Sequence, residues 1–440
     1  MSTARDLIRT NTGPQSGLIF NNDFEGSSFT PKGWAKYHNY STQKQEISAV
    51  NAAPDASSTT LEFKPAKNAD YYGFLCLQTP FTAVTTPTSA YSYYRLTDYA
   101  GIFAVNNIKV SHVSNLLTQL DMNVYLPKYI KDSDPRKRWQ YDPYLLGNLS
   151  PIVRQNLATQ PQVALTPLDG YFWFTYSTSS FIPVIILSHE LRFEVTYNSP
   201  TTFIESDLAS GGTVSCGISP VTIKGITYSP ALVFLTCHVT GDERMWQVNL
   251  FESEGVMAPF KEYKSQPRTT ILAGTTGVIP VRLTSLKDQI SELYFIIRRQ
   301  ADVQTNFNNN LTRTLTYVSC NFIGNGGQMV ADQTKEWCDR RIREQFHSSW
   351  THEDYCIGVI PFSWIPEDPV NNAGSIHLGI ISDPILNINV GTAAGQSTAF
   401  DALTGAGPDT TAPQNIVVDV FVDVFNWLHY VGGDVNKTFN

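Results

Sequence analysis

The stretch HELRFEVTY, residues 189–197, alternates without a break. His189, Leu191, Phe193, Val195 and Tyr197 fall on one side, and Glu190, Arg192, Glu194 and Thr196 on the other. A period of two is that of an extended chain with one face turned to a core. The same reading extends to PALVFLTCHV, ISELYFIIRR, RTLTYVSCNFI and NIVVDVFVDVFNWLHYV. In the last of these, Val418, Val420, Val422 and Val424 oppose Asp419, Phe421, Asp423 and Phe425. Helical periodicity is scarce. LSPIVRQNLA offers Ser150 as N-cap with Pro151 at the first helical position. TGDERMWQV sets Thr240 and Glu243 at capping-box spacing, and DQTKEWCDRRIREQF spaces Cys338, Ile342 and Phe346 as one helix face.

Composition supports a strand-rich protein. Of 440 residues only 16% are charged, against about 25% in ordinary globular chains, and 24 Phe, 21 Tyr and 8 Trp accompany 25 Pro and 28 Gly. Aromatic and β-branched side chains suit a half-buried pleated surface, and Pro and Gly punctuate it with turns. The length favours two domains. The helix expected near residues 240–248 lies mid-chain between strand-rich halves and marks the boundary: an N-terminal arm over 1–20, a first β domain over 21–240 and a second over 241–440. Long Gly/Ala/Thr/Pro-rich segments read as surface loops. Two antiparallel domains of this size fit sandwiches or jelly rolls.

Charge and cysteine usage exclude several classes. The net charge of −8 and the absence of a long basic run argue against direct nucleic-acid binding. Six dispersed cysteines without a C-x-x-C read as free thiols of a reducing compartment. No signal-peptide pattern is visible, and no apolar run reaches the ~18 residues that span a bilayer.

The residues that could carry chemistry read as structural. Glu367 and Asp368 are neighbours within WIPEDP. A glycosidase pair must face itself across a cleft, whereas adjacent residues of an extended chain point apart. Pro366, Glu367, Asp368 and Pro369 have turn chemistry, with Gly374 leading into the next strand. Cys338, His347, His352 and Cys356 are a weak metal set, because zinc ligands come in closer pairs than C-x8-H-x4-H-x3-C. IGNGGQ, residues 323–328, reads as a hairpin turn at Asn325-Gly326. His189, on an apolar strand face, reads as a core histidine. No catalytic residue and no cofactor is indicated. The aromatic content leaves open a carbohydrate-binding or carbohydrate-active β-sandwich.

Several segments in order resemble the double jelly-roll major capsid proteins of nucleocytoplasmic large DNA viruses. FIPVIILSHELRFEVTY is similar at Pro183, His189 and Glu190; ALVFLTCHVTGDERMWQV at Phe234, Leu235, Asp242, Glu243 and Arg244; PFSWIPEDPVNNAGSIHLGIISD at Phe362, Ser363, Pro366, Glu367, Asp368, Gly374 and Asp383. LKDQISELYFIIRRQ and VFVDVFNWLHYVGGDVNKTF resemble two further strands, the second of them the closing one. His377-Leu378-Gly379 departs from the family pattern, and the N-terminal half carries no clear motif. The resemblance implies an all-β chain of two consecutive eight-stranded jelly rolls. It also implies homotrimeric, pseudo-hexameric capsomers tiling an icosahedral shell, in contact with neighbouring capsomers and minor capsid proteins and close to an internal membrane. The chain would be made in the host cytoplasm and reside in the virion. A penton or minor capsid protein is the alternative within that class.

Overall fold

In the computed structural model, the described residues are 40–50, 60–81, 94–132, 140–176, 180–198, 203–206, 230–239, 241–253, 255–300, 314–342, 345, 356–368, 373–391 and 415–438. The expected arm over 1–20 lies outside them.

The first eight principal strands are β1 (Tyr40–Ser48), β2 (Thr60–Phe63), β3 (Tyr71–Phe81), β4 (Val105–His112), β5 (Asn115–Asp121), β6 (Gln162–Pro167), β7 (Leu191–Tyr197) and β8 (Ala231–Val239). They form two antiparallel sheets in the orders β1-β8-β3-β6 and β2-β7-β4-β5. The second eight are β9 (Val256–Ser265), β10 (Val278–Arg282), β11 (Gln289–Arg299), β12 (Ser319–Gly324), β13 (Gly327–Thr334), β14 (Ile357–Pro361), β15 (Ile385–Asn389) and β16 (Ile416–Val431). Their orders are β9-β16-β11-β14 and β10-β15-β12-β13. Counted from the start of each half, both read 1-8-3-6 and 2-7-4-5. That is the double Greek key of a jelly roll, occurring twice. The internal repeat is one of topology, without a visible sequence repeat.

The alternation at 191–197 does what its pattern implies. Leu191, Phe193, Val195 and Tyr197 are buried, while Arg192 is exposed. Phe193 meets Phe234 of β8 edge-on at 5.2 Å and Phe174 at 6.0 Å; Phe174 in turn meets Trp173 at 5.0 Å. Such edge-to-face pairs add about 0.5–1.5 kcal/mol each beyond their buried area. His189, however, precedes the strand and is exposed. Among the described residues the buried histidine is His112 at the end of β4, its ring 6.2 Å from that of His189. The alternation of His189 with Leu191 misleads because the chain is not yet extended there.

In the second half, Asn325 and Gly326 both have positive φ and close the two-residue hairpin between β12 and β13, where Gly324 pairs with Gly327. The right-handed strand twist selects that turn, and Asn-Gly tolerates it best.

The three longest helices among the described residues are α1 (Met122–Asp132), α2 (Pro151–Ala158) and α3 (Gly241–Ser253). Helix α2 starts as its sequence implies, with Ser150 Oγ accepting from the Val153 N–H at 3.4 Å and Pro151 at its first position. Replacing Phe174 with Ala removes the centre of the first aromatic core. It is expected to cost about 3–5 kcal/mol, read as a lowered midpoint in denaturant unfolding.

Candidate functional site

The residues with the most unusual environments lie where the two jelly rolls meet. Helix α1 belongs to the first half, between β5 and β6, yet almost every residue from Met122 to Lys131 is buried, including Lys128 and Lys131. A helix buried all round must lie between two bodies. On its far side, β11 and β16 of the second half pair Glu292 with Asp423 and Tyr294 with Phe421, which sets these four side chains on one sheet face.

Ion pairs cross the gap. Lys131 Nζ bonds Glu292 Oε2, and also lies 3.2 Å from Asp132 Oδ1. Lys128 Nζ sits 2.6 Å from Asp132 Oδ2 and 3.3 Å from Asp423 Oδ2. Each ammonium also rests over an aromatic ring, Lys128 at 4.7 Å from the Tyr263 centroid and Lys131 at 4.6 Å from that of Tyr294. Burial opposes the charge on both lysines. The surrounding carboxylates, Asp132 first in each case, outweigh it and hold the ammonium groups above the usual lysine range. An ionised pair here is costly to desolvate and very costly to break singly.

Neutral contacts flank the charges. The Trp173 indole N–H donates to the Tyr430 hydroxyl at 2.8 Å, Tyr263 O–H to the Gly170 carbonyl at 3.0 Å, and the Lys261 N–H to the Tyr176 hydroxyl at 3.1 Å. The Ser188 N–H donates to the Gly433 carbonyl at 2.7 Å, and Asn115 Nδ2 to Asn436 Oδ1 at 2.8 Å. Helix α3 is tied back as well. Arg244 lies 2.8 Å from buried Asp70, whose other oxygen accepts the Val239 N–H at 2.8 Å. In DERM, therefore, the arginine engages the first jelly roll. Thr240 lies outside the described residues, as does the side chain of Glu243.

The WIPEDP turn reaches this seam through its backbone. After β14, the N–H groups of Phe362 and Ser363 donate to the Ser291 carbonyl at 2.9 and 3.1 Å, and Asp368 N–H donates to the Ile365 carbonyl at 3.2 Å. Pro366 is buried, and its carbonyl accepts from the Lys261 ammonium. Glu367 and Asp368 are half-buried, and Trp364 is 73% exposed. Gly374 has φ of +135°, and a Cβ there would come within 3.0 Å of the Phe362 carbonyl oxygen, so the return of the chain needs glycine. Pro369 lies outside the described residues.

The metal set is divided. Cys338 and Cys356 are buried, while His347 and His352 lie outside the described residues. The sulfur beside Cys338 is Cys320, at 3.9 Å. Among the described residues no three His, Cys, Asp or Glu are grouped to hold a metal ion.

The residues that hold the seam, Lys128, Lys131, Lys261, Glu292 and Asp423, do not stand out as a site in the sequence. A signal is nonetheless present. Glu292 and Asp423 interrupt strands that are apolar on both faces, and a charge in such a strand needs a partner.

No family model matches the sequence, and no curated protein does. Solved structures do. The chain superimposes on the VP54 protein of PBCV-1 with a TM-score of 0.70 at 12% identity, covering 94% of this chain and 100% of that one. For the Faustovirus major capsid protein the TM-score is 0.64 at 9% identity, with coverage of 97% and 98%. For the mavirus major capsid protein the values are 0.52, 9%, 97% and 94%. At such identities the likeness is one of fold, and the fold is the double jelly roll of these capsid proteins.

Glu292→Ala, which leaves Lys131 with Asp132 as its remaining carboxylate, is expected to destabilise by about 3 kcal/mol, while Lys131→Met with Glu292→Leu recovers most of it. Urea unfolding measures both. Burial, acting first, pushes the Lys261 ammonium down to about 8 from 10.5, against the pull of Asp423. Between those values the unfolded chain binds more protons, so stability rises with pH. Relative to Lys261→Met, the native protein should gain stability from about pH 8 to 10.5, by at most about 1.4 kcal/mol per unit.

Proposed function

We propose that this chain is a structural protein of an icosahedral viral capsid, forming trimeric, pseudo-hexameric capsomers. The observation that carries the reading is the pair of jelly rolls with identical strand order, fused by buried ion pairs into one body. Three such chains around a threefold axis present six similar sandwiches in a ring, a closed cyclic assembly with no open edge to propagate. The structural neighbours named as major capsid proteins share this architecture across nearly their whole length, which supports the same use here. The role is one of shape and contact, not of catalysis.

We assign residues 21–240 to the first jelly roll, 241–440 to the second, and 1–20 to an arm that touches neighbouring capsomers or minor capsid proteins. Helix α3 then opens the second unit, and Arg244 clamps it to the first. The turn at Pro366, Glu367, Asp368 and Pro369 serves structure and contact: its backbone seats Lys261, and its exposed Trp364 and Ile365 face outward. The chain would reside in the virion shell. Copy number in purified particles separates a major capsid protein from a penton or minor one.

Light scattering on the purified protein at micromolar concentration is expected to give three chain masses, with an obligate interface burying roughly 2,000 Å² or more. A monodisperse monomer contradicts the proposal.

A further inference from the structure

One carboxylate near the C-terminal hairpin stands between an amine and an amide. Glu262 lies on β9 and is 5% exposed; Asn426 lies on β16 and is 2% exposed. Lys437 ends the short strand Asp434–Lys437, which folds back on β16 through Gly432-Gly433 and pairs Lys437 with Leu428. Lys437 Nζ is 2.8 Å from Glu262 Oε1, and Asn426 Nδ2 donates to Glu262 Oε2 at 3.2 Å. The Trp427 N–H donates to Asn426 Oδ1 at 2.8 Å. That contact fixes the amide orientation, since its oxygen is occupied by a donor and its nitrogen by an acceptor. A second lysine, Lys264, is 3.8 Å from Glu262 Oε2 but only 2.9 Å from Asp288, which draws it aside.

We propose that Lys437 and Asn426 are joined by an isopeptide bond formed by the fold itself, with Glu262 as the acid–base group. Glu262 takes a proton from the Lys437 ammonium. The freed amine attacks Cγ of Asn426, forming the Nζ–Cγ bond, and the negative charge that develops on Oδ1 meets the Trp427 N–H. This is the placement that stabilises a tetrahedral intermediate. Glu262 then passes its proton to Nδ2, the Cγ–Nδ2 bond breaks, and ammonia leaves, taking up the remaining amine proton as ammonium. Glu262 ends as the carboxylate it began as, and no outside reagent is consumed. A partly covered amine held on a buried carboxylate, beside a buried and oriented amide, replaces an otherwise very slow bimolecular reaction, which is where proximity is most effective.

The bond would tie the hairpin strand covalently to β16. It is independent of the capsid reading, because it needs only this fold. The test is peptide mass spectrometry on chymotryptic digests of the protein purified in its native, folded state, because cuts at Phe425, Trp427 and Tyr430 place Asn426 and Lys437 on separate peptides. The expected product is a branched peptide joining the segments that hold Asn426 and Lys437, lighter than their sum by one ammonia. Lys437→Arg keeps a cation on Glu262 but lacks the nucleophile, and should yield only separate peptides. Glu262→Gln should lose the link as well, and if that variant fails to fold, Lys437→Arg carries the comparison. Separate, unmodified peptides from the folded native protein overturn the proposal. A link that persists in folded Glu262→Gln overturns the role given to Glu262.

Discussion

Two lysines of one helix, buried against carboxylates of the opposite half, set the geometry of the whole molecule. Each jelly roll could close its own sandwich alone. What makes the two halves one body is that Lys128 and Lys131 find Asp423 and Glu292 only when helix α1 lies flat on the β11–β16 face. A buried charge tolerates little displacement, because each ångström of separation leaves ions in a medium that does not solvate them. Apolar surfaces of the same area would slide more readily. The ion pairs thus define one relative placement of the sandwiches, and the hydrogen bonds from Trp173, Ser188 and Asn115 to the C-terminal hairpin region hold it at its edge.

The consequence is a protein that repeats its architecture without repeating its sequence. The strand orders 1-8-3-6 and 2-7-4-5 recur, while the surfaces that meet at the seam differ: a helix and aromatic residues from one half, a sheet face from the other. A strict repeat could not supply both sides of such a joint. Divergence between the halves is what lets them fit each other within one chain.

Much of the fold is legible in the sequence. Period-two stretches at Leu191–Tyr197 and Ile416–Val431 mark strands because their alternation follows from the pleat itself. The turn at Asn325-Gly326 is legible for a similarly local reason. The seam is not. Helix α1 carries Pro127 inside it, so propensity argues against it, and its N-cap Asp121, whose Oδ1 accepts the Asn123 N–H at 2.9 Å, is also the last residue of β5. Its charges read as solvated until a partner, distant in sequence, covers them. Asp419 shows the same limit. It looks like the polar side of an alternating strand, yet it is buried between Arg268 at 2.6 Å and Arg298 at 2.5 Å. Tertiary partners decide such residues, and one strand's pattern does not contain them.

Two locked sandwiches thus form one rigid unit, and we propose that this unit assembles in threes. Electron microscopy of the purified protein tests both parts together. Class averages with threefold symmetry and a pseudo-hexagonal outline are expected, with six lobes of nearly equal size at fixed spacing. Two-lobed particles whose lobes vary in separation and angle would contradict both the rigid seam and the trimer built on it.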